Sequence, residues 1–252
     1  PVPIAELIED ELRAVRATDD QEEVARLFER YDLVSAPVVD DGNRLVGVLT
    51  FDDIVDVIEE EAEEDIKALG GVRGEEELSD SVWTTARSRF PWLFANLLTA
   101  LVSSWVISQF GSAIEKMVAL AVLMPIVASM GGNAGTQTMT VTVRALATRE
   151  LSSANTSRIV RRELFVGLLN GLAFASIMGL IAATWFSVGD LGLVMASAIL
   201  TVLAAAALGG ILIPLTLARL GVDPAVSSGP FVTTITDVVG FLAFLQMTQP
   251  EV

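Results

Sequence analysis

The sequence predicts an α-helical membrane protein, five transmembrane helices preceded by a small α/β domain. Three observations carry this expectation. Five apolar segments are long enough for a bilayer core about 30 Å thick, which takes about 20 helical residues. Charge and apolarity are segregated: the net charge is -16 although 52% of residues are hydrophobic and mean hydropathy is +0.57. Most of the acid precedes Ser81, and the apolar runs begin beyond Pro91. The opening part, in contrast, alternates strand and helix patterns.

That part reads β-α-β-β-α. Leu12 to Ala17 forms a short strand, and Asp19 or Asp20 caps a helix to about Tyr31 with Val24, Leu27 and Phe28 on its apolar face. Ala36 to Val39 is the second strand. Asp40-Asp41-Gly42-Asn43 is a hairpin signal, and Arg44 to Leu49 returns as the third strand. A helix opening at Phe51 carries Ile54, Val55 and Ile58 inward. This order, with Gly47-Val48-Leu49-Thr50-Phe51-Asp52-Asp53 at the strand-to-helix junction, resembles a CBS domain. The resemblance implies that Thr50 and Asp53 hold an adenosine ribose or phosphate, with ATP as the candidate ligand. The alternative is that Thr50 is an N-cap. CBS domains act in tandem pairs, so a single copy implies a second one upstream or on another subunit.

Acidity then becomes extreme. Asp53, Asp56, Glu60 and Glu64 recur at three- and four-residue steps and share one helix face. Glu61, Glu63 and Asp65 crowd the same helix, and Glu75, Glu76, Glu77 and Asp80 follow. Like charges in that register repel, and divalent cations would relieve the repulsion; the alternative is a solvated face. Gly70, Gly71 and Gly74 mark a joint. Leu78 to Arg89 reads as a helix at the membrane surface, with Trp83 at the interface. The expected organisation is 1–70 for the α/β domain with its acidic helix, 71–90 for an amphipathic connecting helix and 91–252 for the membrane domain.

The spans are expected at Pro91–Phe110, Met117–Leu146, Glu163–Phe186, Gly192–Ala218 and Val226–Gln246. The long second segment is tilted, broken near Gly131-Gly132, or extended past the membrane. Arg87, Arg89, Arg144, Arg149, Arg158, Arg161, Arg162 and Arg219 lie at alternate junctions; the opposite ones hold Glu115, Lys116 and Asp190. Because positive charge stays inside, the N-terminus is expected in the cytoplasm and the C-terminus outside a cell membrane crossed several times. Glu163 beside Arg161 and Arg162 reads as a structural ion pair. The chain shows no cleavable signal peptide and begins with Pro1, so an upstream portion is expected.

Asp237 is the feature with chemical content. It interrupts an otherwise uncharged span, and a carboxylate at bilayer depth costs several kcal/mol unless it faces water, an ion or a partner. Thr233, Thr234 and Thr236 surround it with oxygen, which describes a hard-cation site; the alternative is a carboxylate hydrogen-bonded between helices. The second span holds Gly131, Gly132, Asn133, Thr136 and Gln137. Those residues either pack helices closely or line an ion path, through backbone carbonyls at a glycine break. Magnesium keeps several waters when bound, so one carboxylate per chain among hydroxyls and carbonyls suits a hydrated divalent ion. With no Cys and no His, thiolate chemistry and disulfides are excluded. No nucleophile–base pair suggests an enzyme, and the acidic balance excludes nucleic-acid binding.

Gly131-Gly132-Asn133-Ala134-Gly135-Thr136-Gln137, Arg144-Ala145-Leu146-Ala147-Thr148-Arg149, Gly221-Val222-Asp223-Pro224-Ala225 and Thr233-Thr234-Ile235-Thr236-Asp237 together resemble the MgtE family of magnesium channels. The resemblance covers nearly the whole chain. It implies a homodimer in a lipid bilayer with a central Mg²⁺ pore, closed by a connecting helix when cytoplasmic Mg²⁺ is plentiful. It also implies that Asp237 is the pore carboxylate, with Gly132, Asn133, Thr136 and Thr233 around it. Asp53, Asp56, Glu64 and Asp65 match acids of the sensing joint, and Asp223 an acid at the cytoplasmic mouth. Position 136 is Thr where some members have Asn. The other readings weighed are a Mg²⁺ exchanger driven by Na⁺ or H⁺, which lacks an evident inverted repeat, and a nucleotide-sensing receptor, which leaves Asp237 unexplained.

Overall fold

In the computed structural model the described residues are 13–72, 74, 76–151 and 155–247. The chain divides into two units, Pro1–Lys67 and Ala68–Val252. The first holds β1 (Val15–Arg16), α1 (Gln21–Tyr31), β2 (Ser35–Val39), β3 (Leu45–Thr50) and α2 (Phe51–Leu69) up to Lys67; the last two residues of α2 belong to the second unit. Asp20 starts α1 by accepting from the backbone N–H groups of Glu22 and Glu23, which have no helical partner of their own. Asp32 ends it in the left-handed region at φ 49°. The Asp40 carboxylate accepts from the backbone N–H groups of Gly42 and Arg44, both at 2.9 Å, and Asn43 takes φ 58°, which fixes the hairpin. The sheet order is β1-β2-β3, parallel between β1 and β2 and antiparallel between β2 and β3.

Val15, Val24, Ala25, Phe28, Ala36 and Ile54 form the core of this unit. The expectation for α2 holds for Ile54 alone: Val55 is 44% and Ile58 51% exposed. A three-stranded sheet covers a narrow stripe of a long helix, and Ile54 with Val57 fills it. The expected first strand begins at Leu12, which lies outside the described residues; the part seen is Val15–Arg16.

The second unit holds α3 (Val82–Ser108), the short α4 (Gly111–Lys116), α5 (Val118–Ala147), α6 (Thr156–Phe186), α7 (Gly189–Arg219) and α8 (Pro224–Gln246). Apart from α4, each is long and apolar enough to cross a membrane. One boundary differs from expectation, and one of the three alternatives for the second span falls away. Residues 82–90 are the first turns of α3 rather than a separate surface helix, because Pro91 is accommodated inside a continuous helix capped by Ser81. And α5 runs unbroken through Gly131-Gly132, so its carbonyls stay in the helical ladder instead of opening toward an ion.

Glycine sets how closely these helices approach. A Cβ on Gly131 would lie 2.6 Å from Val202 Cγ2 and 3.2 Å from Thr236 Cβ, and one on Gly135 2.7 Å from Val232 Cγ1. Antiparallel α6 and α7 meet through Gly179 and Gly192, each facing the other's carbonyl. With lipid as apolar as the interior, this close packing supplies the association that burial supplies in water. α7 is the central helix: Met195, Ala198, Ile199, Val202, Ala206 and Ile211 are fully buried. α6 turns Phe165, Leu169, Leu172, Leu180 and Trp185 outward, as lipid-facing residues do.

Gly210 is closed off by backbone as well as by the Thr138 side chain. A Cβ there would sit 2.8 Å from the Gly135 carbonyl oxygen and 3.0 Å from Met139 N. Gly210→Val is therefore expected to lower the stability of the helical unit by about 3 kcal/mol, the upper end for overpacking. Thermal unfolding of the purified protein in detergent measures this; an unchanged midpoint would show that α5 and α7 can separate at no cost.

Candidate functional site

α8 is built to carry a polar side chain inside a membrane. Asp223 caps it, its carboxylate accepting from Ala225 N at 2.8 Å, and Pro224 occupies the first turn. Pro230 lies within the helix and supplies no N–H to the turn before it. The hydroxyls nearby return to the helix backbone: Ser228 to Pro224 O, Thr233 to Gly229 O, Thr234 to Pro230 O and Thr236 to Thr233 O. Polar groups in lipid must be satisfied internally, and these are.

Asp237 is different. It is half-buried, sits one turn beyond the exposed Thr233 on the same face, and makes no hydrogen bond or ion pair among the described residues. The hydrogen-bonded alternative for this carboxylate thus has no partner within the described chain. The threonines divide: Thr233 shares the face of Asp237, whereas Thr236 is fully buried in the α5–α8 seam against Gly131 and Gly135. The Thr236 hydroxyl donates within its own helix, and its side chain fills the space that the two glycines leave.

Beside that seam, α5 exposes Ser129, Asn133, Thr136, Gln137, Thr140 and Arg144. Three- and four-residue steps place most of them on one stripe, and Asn133 Nδ2 donates to Ser129 Oγ at 3.3 Å. Gly132 faces open space, with nothing within 4 Å of where a Cβ would stand. Gly131 and Gly135 therefore do the packing, and Gly132, Asn133 and Thr136 remain on an open surface. The sequence motif contains both uses, interleaved.

In the first unit, Thr50 donates to the Asp53 carboxylate from its backbone N at 2.9 Å and its hydroxyl at 2.6 Å. Those bonds hold the Asp53 carboxyl below the usual carboxylate range. The pair thus fixes the β3–α2 junction as the start of a helix, with Asp53 exposed and Thr50 half-buried. Asp65 and Glu61 of α2 stand near Glu22 and Asp20 of α1. Burial pushes the Glu22 carboxyl up, Arg26 opposes it, and Glu61, Asp20 and Asp65 add to the rise. This cross-helix group includes Glu22 and Asp20, which spacing along α2 alone does not reveal. Among the described residues no three acidic side chains are gathered closely enough to hold a metal ion. Asp53, Asp56, Glu64 and Asp65 do not form a preassembled cage in one chain.

Glu76 has a structural part that a charge run conceals. Its side chain is 7% exposed, pairs with the Arg89 guanidinium and accepts from Ser88 Oγ at 2.9 Å. Glu75 lies outside the described residues. Glu163 pairs with Arg162 at 3.6 Å, as the sequence suggests.

Residues 124–247 match the MgtE family, described as a divalent cation transporter, and residues 4–60 match the CBS domain. The chain is similar to three proteins named Magnesium transporter MgtE. The one from Thermus thermophilus is 39% identical over 253 residues, covering 98% of this chain and 55% of that protein. The one from Bacillus subtilis is 38% identical over 228 residues, 90% of this chain and 51% of its own length. The one from Enterococcus faecalis is 36% identical over 244 residues, 97% and 54%. The chain thus spans about half the length of these curated relatives. The matched family is one of transporters rather than enzymes. With a transporter match across its last helices, a CBS match across its first residues and relatives aligned over nearly all of it, the chain belongs to the MgtE family of divalent cation transporters.

Proposed function

We propose that this chain conducts Mg²⁺ through a membrane pore whose carboxylate is Asp237, and that cytoplasmic Mg²⁺ closes the pore through acids of α2. The observation that carries the reading is Asp237 itself, a half-buried carboxylate within a span and without a partner among the described residues. The exposed stripe with Asn133 and Thr136, together with Thr233, is unsuited to lipid and suited to water and a hydrated ion. A second copy of the chain, apposed across these faces, would close an aqueous path and bring two Asp237 side chains to it. The names of the three relatives specify magnesium.

For gating, the reading rests on Asp53, Asp56, Glu64 and Asp65, whose charges repel on and around α2 and which divalent cations would neutralise. The excess of Arg at alternate helix ends supports a cytoplasmic side for these acids and an outside C-terminus. Purified chain in liposomes tests the proposal: a Mg²⁺-sensitive dye inside should report chain-dependent entry, suppressed when Mg²⁺ is raised on the side of the acidic domain. Liposomes no more permeable than protein-free ones would reject it.

A nucleotide at Thr50 and Asp53 is part of the same reading. Thr50 already holds one oxygen of Asp53, so a ligand would use the other oxygen and the Thr50 hydroxyl. ATP should bind weakly, and Thr50→Ala should weaken it by about tenfold, the scale of one lost hydrogen bond. Calorimetric titration giving equal affinities for both proteins would remove the site.

A further inference from the structure

The end of α2 from Ala68 and the turn after it belong to the helical unit and pack within it. Ala68 is buried with Met139 and Val143 of α5 and with Ala225 and Val232 of α8. Directly after it, Gly71 N donates to Ala68 O at 2.9 Å and Gly71 adopts φ +70°, a conformation in which glycine is the least strained residue. The Trp92 indole lies against it: a Cβ on Gly71 would stand 2.1 Å from Trp92 Cε2 and Nε1, an impossible approach for any side chain. The other end of the same ring touches α8, where a Cβ on Gly229 would lie 3.3 Å from Trp92 Cζ2. Five residues beyond Gly71, the buried Glu76 is held by Arg89 and Ser88 on the first turns of α3.

We propose that Trp92 is a positioning residue that couples the turn after α2 to the first half of α8, the segment leading to Thr233 and Asp237. Gly71 and Gly229 supply the two bare backbone faces between which the indole fits. Glu76, held by Arg89 and Ser88, gives the chain a second fixed point on α3. Gly229 also accepts the Thr233 hydroxyl through its carbonyl, at 3.0 Å. Displacement at Gly229 is therefore felt one turn on, at the face that carries Asp237. A large planar side chain clasped by two glycines transmits displacement because neither neighbour has a side chain to yield.

The inference rests on the proposed Mg²⁺ control of the pore, and its test separates the two. In liposomes, the Mg²⁺ concentration that half-suppresses flux should rise about fivefold or more in Trp92→Ala and in Gly71→Ala, the lower range of an allosteric coupling. Trp92→Phe should recover part of the response, because a smaller ring still fills the gap. The double variant should shift no further than the larger single shift, because both changes break one contact. Flux with little Mg²⁺ on the acidic side should stay close to that of the unmodified chain. Additive shifts, or an unmodified response in a folded single variant, would overturn the coupling. Acrylamide quenching provides a readout independent of transport, in a chain whose Trp83, Trp105 and Trp185 are replaced by Phe. Gly71→Ala should expose Trp92 to quencher; unchanged quenching would overturn the clasp whether or not Mg²⁺ controls flux. If quenching responds but the chain without these substitutions shows no suppression by Mg²⁺, the gating reading fails and so does the coupling assigned to Trp92.

Discussion

Asp237→Ala and Asp237→Asn should each reduce Mg²⁺ flux by about 100-fold or more while leaving the protein folded. The size follows from what the carboxylate is asked to do: a charge at membrane depth is worth several kcal/mol to an ion that replaces its water. About 2.7 kcal/mol corresponds to a hundredfold. Asn keeps the shape and loses the charge, so it separates electrostatics from packing. Folding should survive because Asp237 has no intramolecular partner among the described residues, and α8 is held instead by Val232, Thr236, Gly240 and Phe244. Flux assays with a Mg²⁺-sensitive dye, beside size-exclusion profiles of each variant, give both readouts. Uptake equal to that of the unmodified chain in a folded Asp237→Ala protein would remove the carboxylate from the pathway.

Neutralising Asp53, Asp56, Glu64 and Asp65 together should raise the inhibitory Mg²⁺ concentration by about 100-fold and leave Asp237-dependent permeation intact. Each cation contact contributes on the order of 1–3 kcal/mol of coupling, so single changes shift the response modestly and the combination shifts it strongly. The four do not form one cage: Asp53 is engaged by Thr50, and Asp65 stands near Glu22 and Glu61 across two helices. Their joint effect is therefore an electrostatic one, spread over α2, rather than the loss of a single coordination sphere. Inhibition at the same Mg²⁺ concentration as in the unmodified chain would make these acids a solvated face.

The spans were legible because twenty-residue apolarity is a long-range signal that single residues do not disturb. Their ends were less so. Pro91 reads as a boundary in water, where the missing N–H and the ring penalise a helix interior. In α3 the helix passes through it, and α3 begins at Ser81 instead. Gly131-Gly132 reads as a break for a related reason, since glycine is costly in an isolated helix. In the bundle the same residues lower the cost of close approach to α7 and α8. Asp237 was identified by its neighbours in sequence, because a charge in a span is conspicuous without structure. The separate fates of Thr233 and Thr236 depend on helical phase against α5, which no spacing rule supplies without the partner helix. Glu76 was hidden in an acidic run: its distinction from Glu77 lies in Arg89 and Ser88, in α3. The burial of Ile54 without Val55 or Ile58 likewise reflects how little of α2 a three-stranded sheet can cover.

Recording single molecules in planar bilayers under a Mg²⁺ gradient decides whether this chain forms a pore lined by Asp237. The unmodified chain should give discrete Mg²⁺ currents that fall silent as Mg²⁺ rises on the side of the acidic domain, and Asp237→Asn should give none. Mg²⁺ movement without unitary currents, or currents of unchanged size in Asp237→Asn, would contradict the pore.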